Sequence, residues 1–386
     1  MQPFTEERFT PADRKNNGVY SPVLKVLGLG GAGGNAVDRM MELGIRGVDF
    51  IVANTDLQSL EMNHAPEKIQ LGPRVTRGLG AGGKPEIGQA AAEESWKEIH
   101  QAISGADMVF LTAGLGGGTG TGAIPVASKI ARKAGALAIA VVTMPFSFEM
   151  GKRAENATNG LLRLHKQVDT LITIPNDRLL YVAPQHLPLE TAFRLADDVL
   201  RQAVQSITEL ITEPGLINVD FAHIRRLMHL GGGALMAIGR GEGEDKALKA
   251  VKMAINHPLV GEISLENANG VIANFTAGKD LALVEVSDAL NYLQEQTNNS
   301  TEIVMGTTQK DHLEDTVQVN LVITGLGAKT LEDILPGSEV RKIKQPSSRH
   351  PIKKQEVLQP VSSIASENLD IPAFLRRQPY VSGKAN

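Results

Sequence analysis

Residues Gly116-Gly117-Gly118-Thr119-Gly120-Thr121-Gly122 place five glycines and two threonines in seven positions. Glycine lets backbone N–H groups approach a ligand without side-chain interference. Threonine hydroxyls can donate to phosphate oxygens or reach a phosphate-bound Mg²⁺. A plain turn does not need so many glycines, so this composition suits a loop that wraps a polyphosphate. A second run, Gly28-Leu29-Gly30-Gly31-Ala32-Gly33-Gly34-Asn35, lies between an apolar run and a helical stretch. There, backbone N–H groups and the positive end of a helix favour an anion. Gly28, Gly30 and Gly33 also satisfy the dinucleotide fingerprint G-x-G-x-x-G, and alone they are equally compatible with a tight strand–helix turn or an oxidoreductase. The run has no P-loop lysine. The pair of loops, converging on one polyphosphate, is the specific signal.

Such loops need a scaffold that brings them together. Short apolar runs at Val23–Leu27, Phe50–Ala53, Met108–Leu111, Ala138–Val142 and Thr170–Ile174 read as buried parallel strands. Helical stretches at Ala90–Ser104 and Ile124–Ala134 alternate with them, which predicts a parallel sheet covered on both faces. Ligands of such sheets bind beyond the carboxyl ends of the strands, where both glycine runs fall. Leu200, Ala203, Val204, Ile207, Leu210 and Ile211 recur at helical spacing, predicting one long helix over 190–212 that ends at Pro214-Gly215. Beyond it, runs at Val271–Phe275, Leu281–Val286, Glu302–Met305 and Val317–Ile323 read as strands, with helices near 246–257 and 287–298. The fold class is α/β: a Rossmann-like parallel-sheet domain over 22–189, a long central helix over 190–213, and a smaller α+β C-terminal domain over 214–335. Residues 1–21 read as a disordered leader, 336–366 as a flexible basic linker and 367–386 as a tail. In the tail, Asp370 suits an N-cap, Pro372 a first turn and Arg376-Arg377 a helix C-terminus, with Ile371, Phe374 and Leu375 on one face. A helix this short does not stand alone in water, so Asp370–Arg377 reads as a peptide that folds on a partner.

Composition narrows the field. At 386 residues, with 42% hydrophobic and 21% charged, the chain can bury the cores of about two domains. The absence of cysteine excludes disulfides, thiolate metal sites and a cysteine nucleophile. No apolar run is long enough to span a membrane. The net charge of −4 divides unevenly: residues 1–335 carry −9, 336–366 carry +4 and 367–386 carry +1. An acidic body of this kind would be repelled by phosphate backbones, which argues against a nucleic-acid partner.

The run Gly-Gly-Gly-Thr-Gly-Thr-Gly at 116–122 is the signature of the tubulin/FtsZ family, and the chain resembles that family over about 22–330 and again at 367–378. The resemblance implies GTP/GDP binding with Mg²⁺, head-to-tail assembly of the chain with itself, and a filament of bacterial cell division at the cytoplasmic face of the division site. Implied contacts to the nucleotide are Gly30, Gly31, Ala32, Gly33, Gly34, Asn35, Gly117, Gly118, Thr119, Gly120 and Thr121. Asp56 lies in a segment like the family's second nucleotide loop, and Ala81 and Gly82 in one like its γ-phosphate-sensing loop. Glu149 and Arg153 correspond to the ribose-contacting segment, in which Met150 stands where glycine is usual. Asn176 and Asp198 are implied at the guanine edge and Phe193 at its face. A carboxylate can accept both N–H groups of guanine's Watson–Crick edge, and adenine offers no such pair.

The stretch Asn218-Val219-Asp220-Phe221-Ala222-His223 resembles the loop that enters the nucleotide site of the next subunit, so Asn218, Asp220 and His223 are the candidate catalytic residues. Positions 220 and 223 face one way on a helix. The family usually carries Asp at both, and here the second is His223, followed by Arg225 and Arg226. The leading expectation is an assembling GTPase. The alternative is a GTP-binding structural paralogue with weak hydrolysis. The tail peptide resembles the family's docking segment for membrane tethers and division regulators.

Overall fold

The computed structural model describes residues 21–326 except 150, 182–185, 214–216, 218, 230–232, 261–264 and 299–300. The expected leader up to residue 20, and the expected linker and tail, lie outside these residues. The chain begins with β1 (Leu24–Leu29), α1 (Gly30–Glu42), β2 (Asp49–Asn54), α2 (Leu57–Met62) and β3 (Glu67–Gln70). It continues with α3 (Pro85–Glu94), α4 (Trp96–Ile103), β4 (Met108–Gly114), α5 (Thr119–Lys133) and β5 (Leu137–Met144). Then follow α6 (Arg153–His165), β6 (Thr170–Pro175), α7 (Asn176–Leu179), the long α8 (Leu189–Thr212) and α9 (Phe221–His229). The last part is β7 (Gly233–Glu242), α10 (Lys246–Ile255), β8 (Gly270–Ala277), α11 (Leu283–Gln296), β9 (Glu302–Gln309) and β10 (Thr316–Thr324).

The described strands form one sheet in the order β3-β2-β1-β4-β5-β6-β7-β10-β8-β9. Pairing is parallel from β3 through β7, antiparallel where β10 meets β7 and β8, and parallel again between β8 and β9. The first six strands have the doubly wound order 3-2-1-4-5-6, whose switch point lies between β1 and β4. Both glycine runs leave the carboxyl ends of these two strands. Successive strand residues bury into opposite faces, as alternation requires. Leu27, Leu29, Val109 and Leu111 pack under α3, α4 and α5. Val26, Phe110, Ile139 and Val141 pack under α1, α8 and α9.

Several boundaries differ from the sequence reading. Leu281–Val286 is not a strand: α11 starts at Leu283, with Val286, Ala289 and Leu293 buried at helical spacing and Leu283 and Val284 exposed. The Glu285 carboxylate accepts the Ala282 N–H at 3.0 Å, satisfying a free donor at the helix start. The expected helix over 90–104 is two helices broken at Ser95. The Ser95 Oγ accepts from Gly72 N at 3.0 Å and donates to Gln70 O at 3.2 Å, anchoring the break to the end of β3. β7 was not anticipated, because its apolar run is punctuated by glycines. Gly239 and Gly241 in it allow α10 to press on the strand: a Cβ on either would fall 1.9 Å from an α10 carbonyl oxygen.

Candidate functional site

Two helix N-termini meet at the switch point. α1 begins at Gly30 and α5 at Thr119, and neither first turn holds an acidic residue or a side-chain cap. Their free N–H groups therefore remain for an anion. The ends are close: a Cβ on Gly30 would sit 2.8 Å from the Gly120 N. The glycines divide into two kinds. Gly33 is pinned by packing, since its Cβ would lie 2.5 Å from Thr112 O, whereas Gly31 and Gly117 open onto free space with nothing within 4 Å. A cavity of about 380 Å³ runs along α1 beside this point, lined by Gly30, Gly31, Gly34, Asn35 and Asp56 among others. It covers the phosphate end of the expected site and not the base end.

The surrounding loops are fastened to one another. Asp56 caps α2 by accepting Ser59 N at 3.1 Å. Thr55 is fully buried, and its hydroxyl lies 2.6 Å from that of Thr119. Ala81 and Gly83 lie against Gly118, where a Cβ would meet the Ala81 Cβ at 2.8 Å. Asn156 of α6, not singled out by the sequence, donates to Gly83 O at 3.1 Å and Gly116 O at 3.3 Å and so ties the two loops together. The two threonines differ in their surroundings. Thr119 is half-buried, whereas Thr121 is fully buried and its hydroxyl accepts Gly116 N at 2.8 Å, supplying the turn with an internal acceptor for that amide.

Toward the base end, Glu149 and Arg153 pair with each other at 2.9 Å, and Glu149 also accepts Phe146 N at 2.8 Å. Arg153 borders the glycine loop at Gly116. Met150 lies outside the described residues. Asn176 opens α7, is 4% exposed, and its Oδ1 is buried with no hydrogen-bond partner among the described residues. A buried acceptor left in this state fits a donor from a ligand. Phe193 is half-exposed and held edge-on by Phe146 and Phe148, with centroids 5.6 and 6.3 Å away. The two Asp198 oxygens take Arg201 Nε at 2.8 Å and Gln202 Nε2 at 2.7 Å, so its carboxylate is committed within α8. Asp197, which the sequence reading passed over, is one helical turn from Phe193 and shares its face. Burial pushes its carboxyl up to about 7. Arg39 opposes the rise, Asp198 adds to it, and Arg194 opposes it more weakly. The spacing of Phe193 and Asp197 was the signal available in the sequence.

The remaining candidates are not brought to this place. Asp220 precedes α9 and accepts Ala222 N at 3.0 Å as its cap, and His223 is exposed on the first turn. Asn218 lies outside the described residues. α9 sits at the amino ends of the parallel strands: Arg225 donates to Gly135 O just before β5, and Thr170 at the start of β6 donates to Met228 O at 2.5 Å. α8 connects the two ends. It starts after α7 and finishes with Thr212 against Gly47 at the entry to β2. Its 24 residues span about 36 Å.

Comparison with known proteins agrees with this geometry. A family model described as the tubulin/FtsZ family GTPase domain matches residues 23–184, and one described as the FtsZ family C-terminal domain matches 232–327. An empty FtsZ dimer from M. jannaschii is 45% identical, with 80% of this chain and 89% of that chain covered and a TM-score of 0.76. A point mutant of FtsZ from M. jannaschii is 45% identical over 79% and 91% of the two chains, with a TM-score of 0.75. A GDP-bound CetZ1 monomer from Haloferax volcanii shares the fold at 22% identity over 82% and 99%, with a TM-score of 0.69. A parallel sheet with two uncapped helix N-termini at its switch point, followed by a second unit built on β7–β10, is thus the two-domain architecture of a known group, and the chain belongs to the tubulin/FtsZ family of GTPases.

Proposed function

We propose that this chain binds GTP with Mg²⁺, assembles head to tail into filaments and hydrolyses GTP at each junction between subunits, as the filament of a cell-division ring. The observation that carries this reading is the separation of the two halves of the site. The glycine loops open at the carboxyl ends of the strands, and Asp220 lies at the amino ends, with α8 between them. A chain cannot turn its own Asp220 onto its own phosphates, but a second copy stacked end to end can. The FtsZ dimer among the relatives is consistent with this.

In this reading the α1 and α5 N-termini hold the phosphates, Glu149 and Arg153 turn from each other to the ribose, and Phe193 lies against the base. Asn176 and Asp197, rather than Asp198, meet the guanine edge. Asp220 of the next copy orients the attacking water, and positioning does most of the work. Mg²⁺ would neutralise phosphate charge. The Asp56 carboxylate and Thr119 hydroxyl are hard oxygen donors suited to it, and no cluster of three or more His, Asp or Glu among the described residues forms a separate metal site. His223 in place of a second carboxylate favours slow turnover, which keeps open a mainly structural, copolymerising role. No helix among the described residues is long and apolar enough to cross a membrane. In this reading Asp370–Arg377 carries recruitment to the cytoplasmic face of the division site, through membrane tethers and regulators. The relatives at 45% identity come from M. jannaschii, and nothing in this reading requires a bacterial source.

The test is GTP turnover against protein concentration, with sedimentation in parallel. Turnover per chain should rise steeply once filaments sediment. A rate per chain that is constant across the micromolar range would overturn the shared site.

A further inference from the structure

We propose that Thr55 is a positioning residue for the polyphosphate, its buried hydroxyl ordering that of Thr119 while its backbone carbonyl holds the 76–80 loop. The inference rests on the GTP reading above. Thr55 is fully buried at the end of β2, with its Oγ1 2.6 Å from Thr119 Oγ1. Its carbonyl accepts Gly80 N at 3.1 Å and Thr76 Oγ1 at 3.2 Å. One residue thus holds the start of α5 with its side chain and the 76–80 loop with its backbone.

The direction of the hydroxyl pair follows from the ligand. A hydroxyl has a single proton to donate, and ionised phosphate oxygens only accept. When Thr119 faces phosphate, its proton goes to the phosphate and its lone pairs are left to accept from Thr55. The chain runs from the Thr55 hydroxyl to the Thr119 hydroxyl to the phosphate oxygen, each bond polarising the next. A Thr55 that merely fills space would affect folding and leave this directional coupling untouched.

The experiment measures GTP and GDP dissociation constants with a fluorescent analogue, and melting without nucleotide, for Thr55→Val, Thr55→Ser, Thr119→Val and the Thr55→Val/Thr119→Val pair. Thr55→Val should bind about five- to tenfold more weakly, the worth of one lost hydrogen bond between neutral hydroxyls. Thr55→Ser should stay within about twofold, and Thr55→Val should add less than about twofold in the Thr119→Val background, since the bond it removes is already gone. Thr55→Ala replaces the valine variant if that one does not fold. Wild-type affinity without the hydroxyl, a serine variant as weak as valine, or a full Thr55→Val loss without Thr119 would each overturn the proposal. Failure of the unaltered chain to bind GTP would strike the functional reading instead.

Discussion

Phe193 and Asp197 lie one helical turn apart, and that interval makes different predictions for two adjacent aspartates. Asp197→Asn should weaken GTP binding at least tenfold and erode the preference over ATP, as measured by competition binding. Asp198→Asn should mainly cost stability, roughly 1.5–3 kcal/mol, because it weakens charge-assisted bonds to the buried Arg201 and Gln202. The raised Asp197 carboxyl adds a pH dependence with a defined sign. The folded state holds a proton there up to about 7, whereas the unfolded chain loses it near its ordinary value of 3.8. Its contribution to stability is complete below that lower value and is lost as pH rises through about 7. Nucleotide-free protein should therefore melt lower at pH 8 than at pH 6 on account of this group. GTP affinity should rise over the same interval, because the ionised carboxylate is the better acceptor. Asp197→Asn should flatten both trends. At Asp220 the informative change is Asn, which keeps the acceptor that caps α9 and removes the charge. It should nearly abolish turnover with GTP binding intact, while His223→Asp should raise turnover severalfold. The position of the two glycine runs, each leaving a strand and opening a helix, was legible in the sequence. The sequence reading placed Asp198 at the guanine edge and passed over Asp197, because two adjacent carboxylates look alike until Arg201 and Gln202 are seen to occupy one of them.

At the level of elements, α1 carries glycines of opposite meaning. Gly31 faces open space in the first turn, and an alanine there removes backbone freedom from the unfolded chain. Gly31→Ala should raise the melting temperature of nucleotide-free protein, corresponding to up to about 1 kcal/mol, and weaken GTP binding by filling the phosphate approach. Gly33→Ala should lower it, since its Cβ would meet Thr112 O at 2.5 Å and force α1 away from β4. Calorimetry with and without GTP separates the two. The parallel strands and α8 were readable because burial on both faces leaves continuous apolar runs, and one-sided burial leaves helical periodicity. Leu281–Val286 was misread because Leu283 and Val284 look like core residues, yet they are exposed and the helix is set by Val286, Ala289 and Leu293 further on. The break at Ser95 depends on a hydrogen bond to Gly72, a contact between segments distant in sequence.

For the whole molecule, removal of 367–386 should leave GTP binding and sedimentation unchanged while abolishing recruitment to the division site in cells, and loss of assembly in the truncated chain would refute the docking role. The proposed head-to-tail arrangement makes a stronger prediction, because it would give every chain two half-sites that fail independently. Gly31→Ala damages the phosphate end and leaves Asp220 whole, and Asp220→Asn does the reverse. Each variant alone contains no complete junction and should turn over GTP at a small fraction of the wild-type rate. When the two are mixed, the phosphate end of an Asp220→Asn chain can seat against the intact Asp220 of a Gly31→Ala chain, and that pairing restores one full site. Turnover should therefore reappear on mixing, rise with the proportion of mixed junctions, and fall again when either variant is in large excess. A site completed within one chain predicts the plain sum of two low rates at every ratio, so a flat mixing curve would rule out the shared junction.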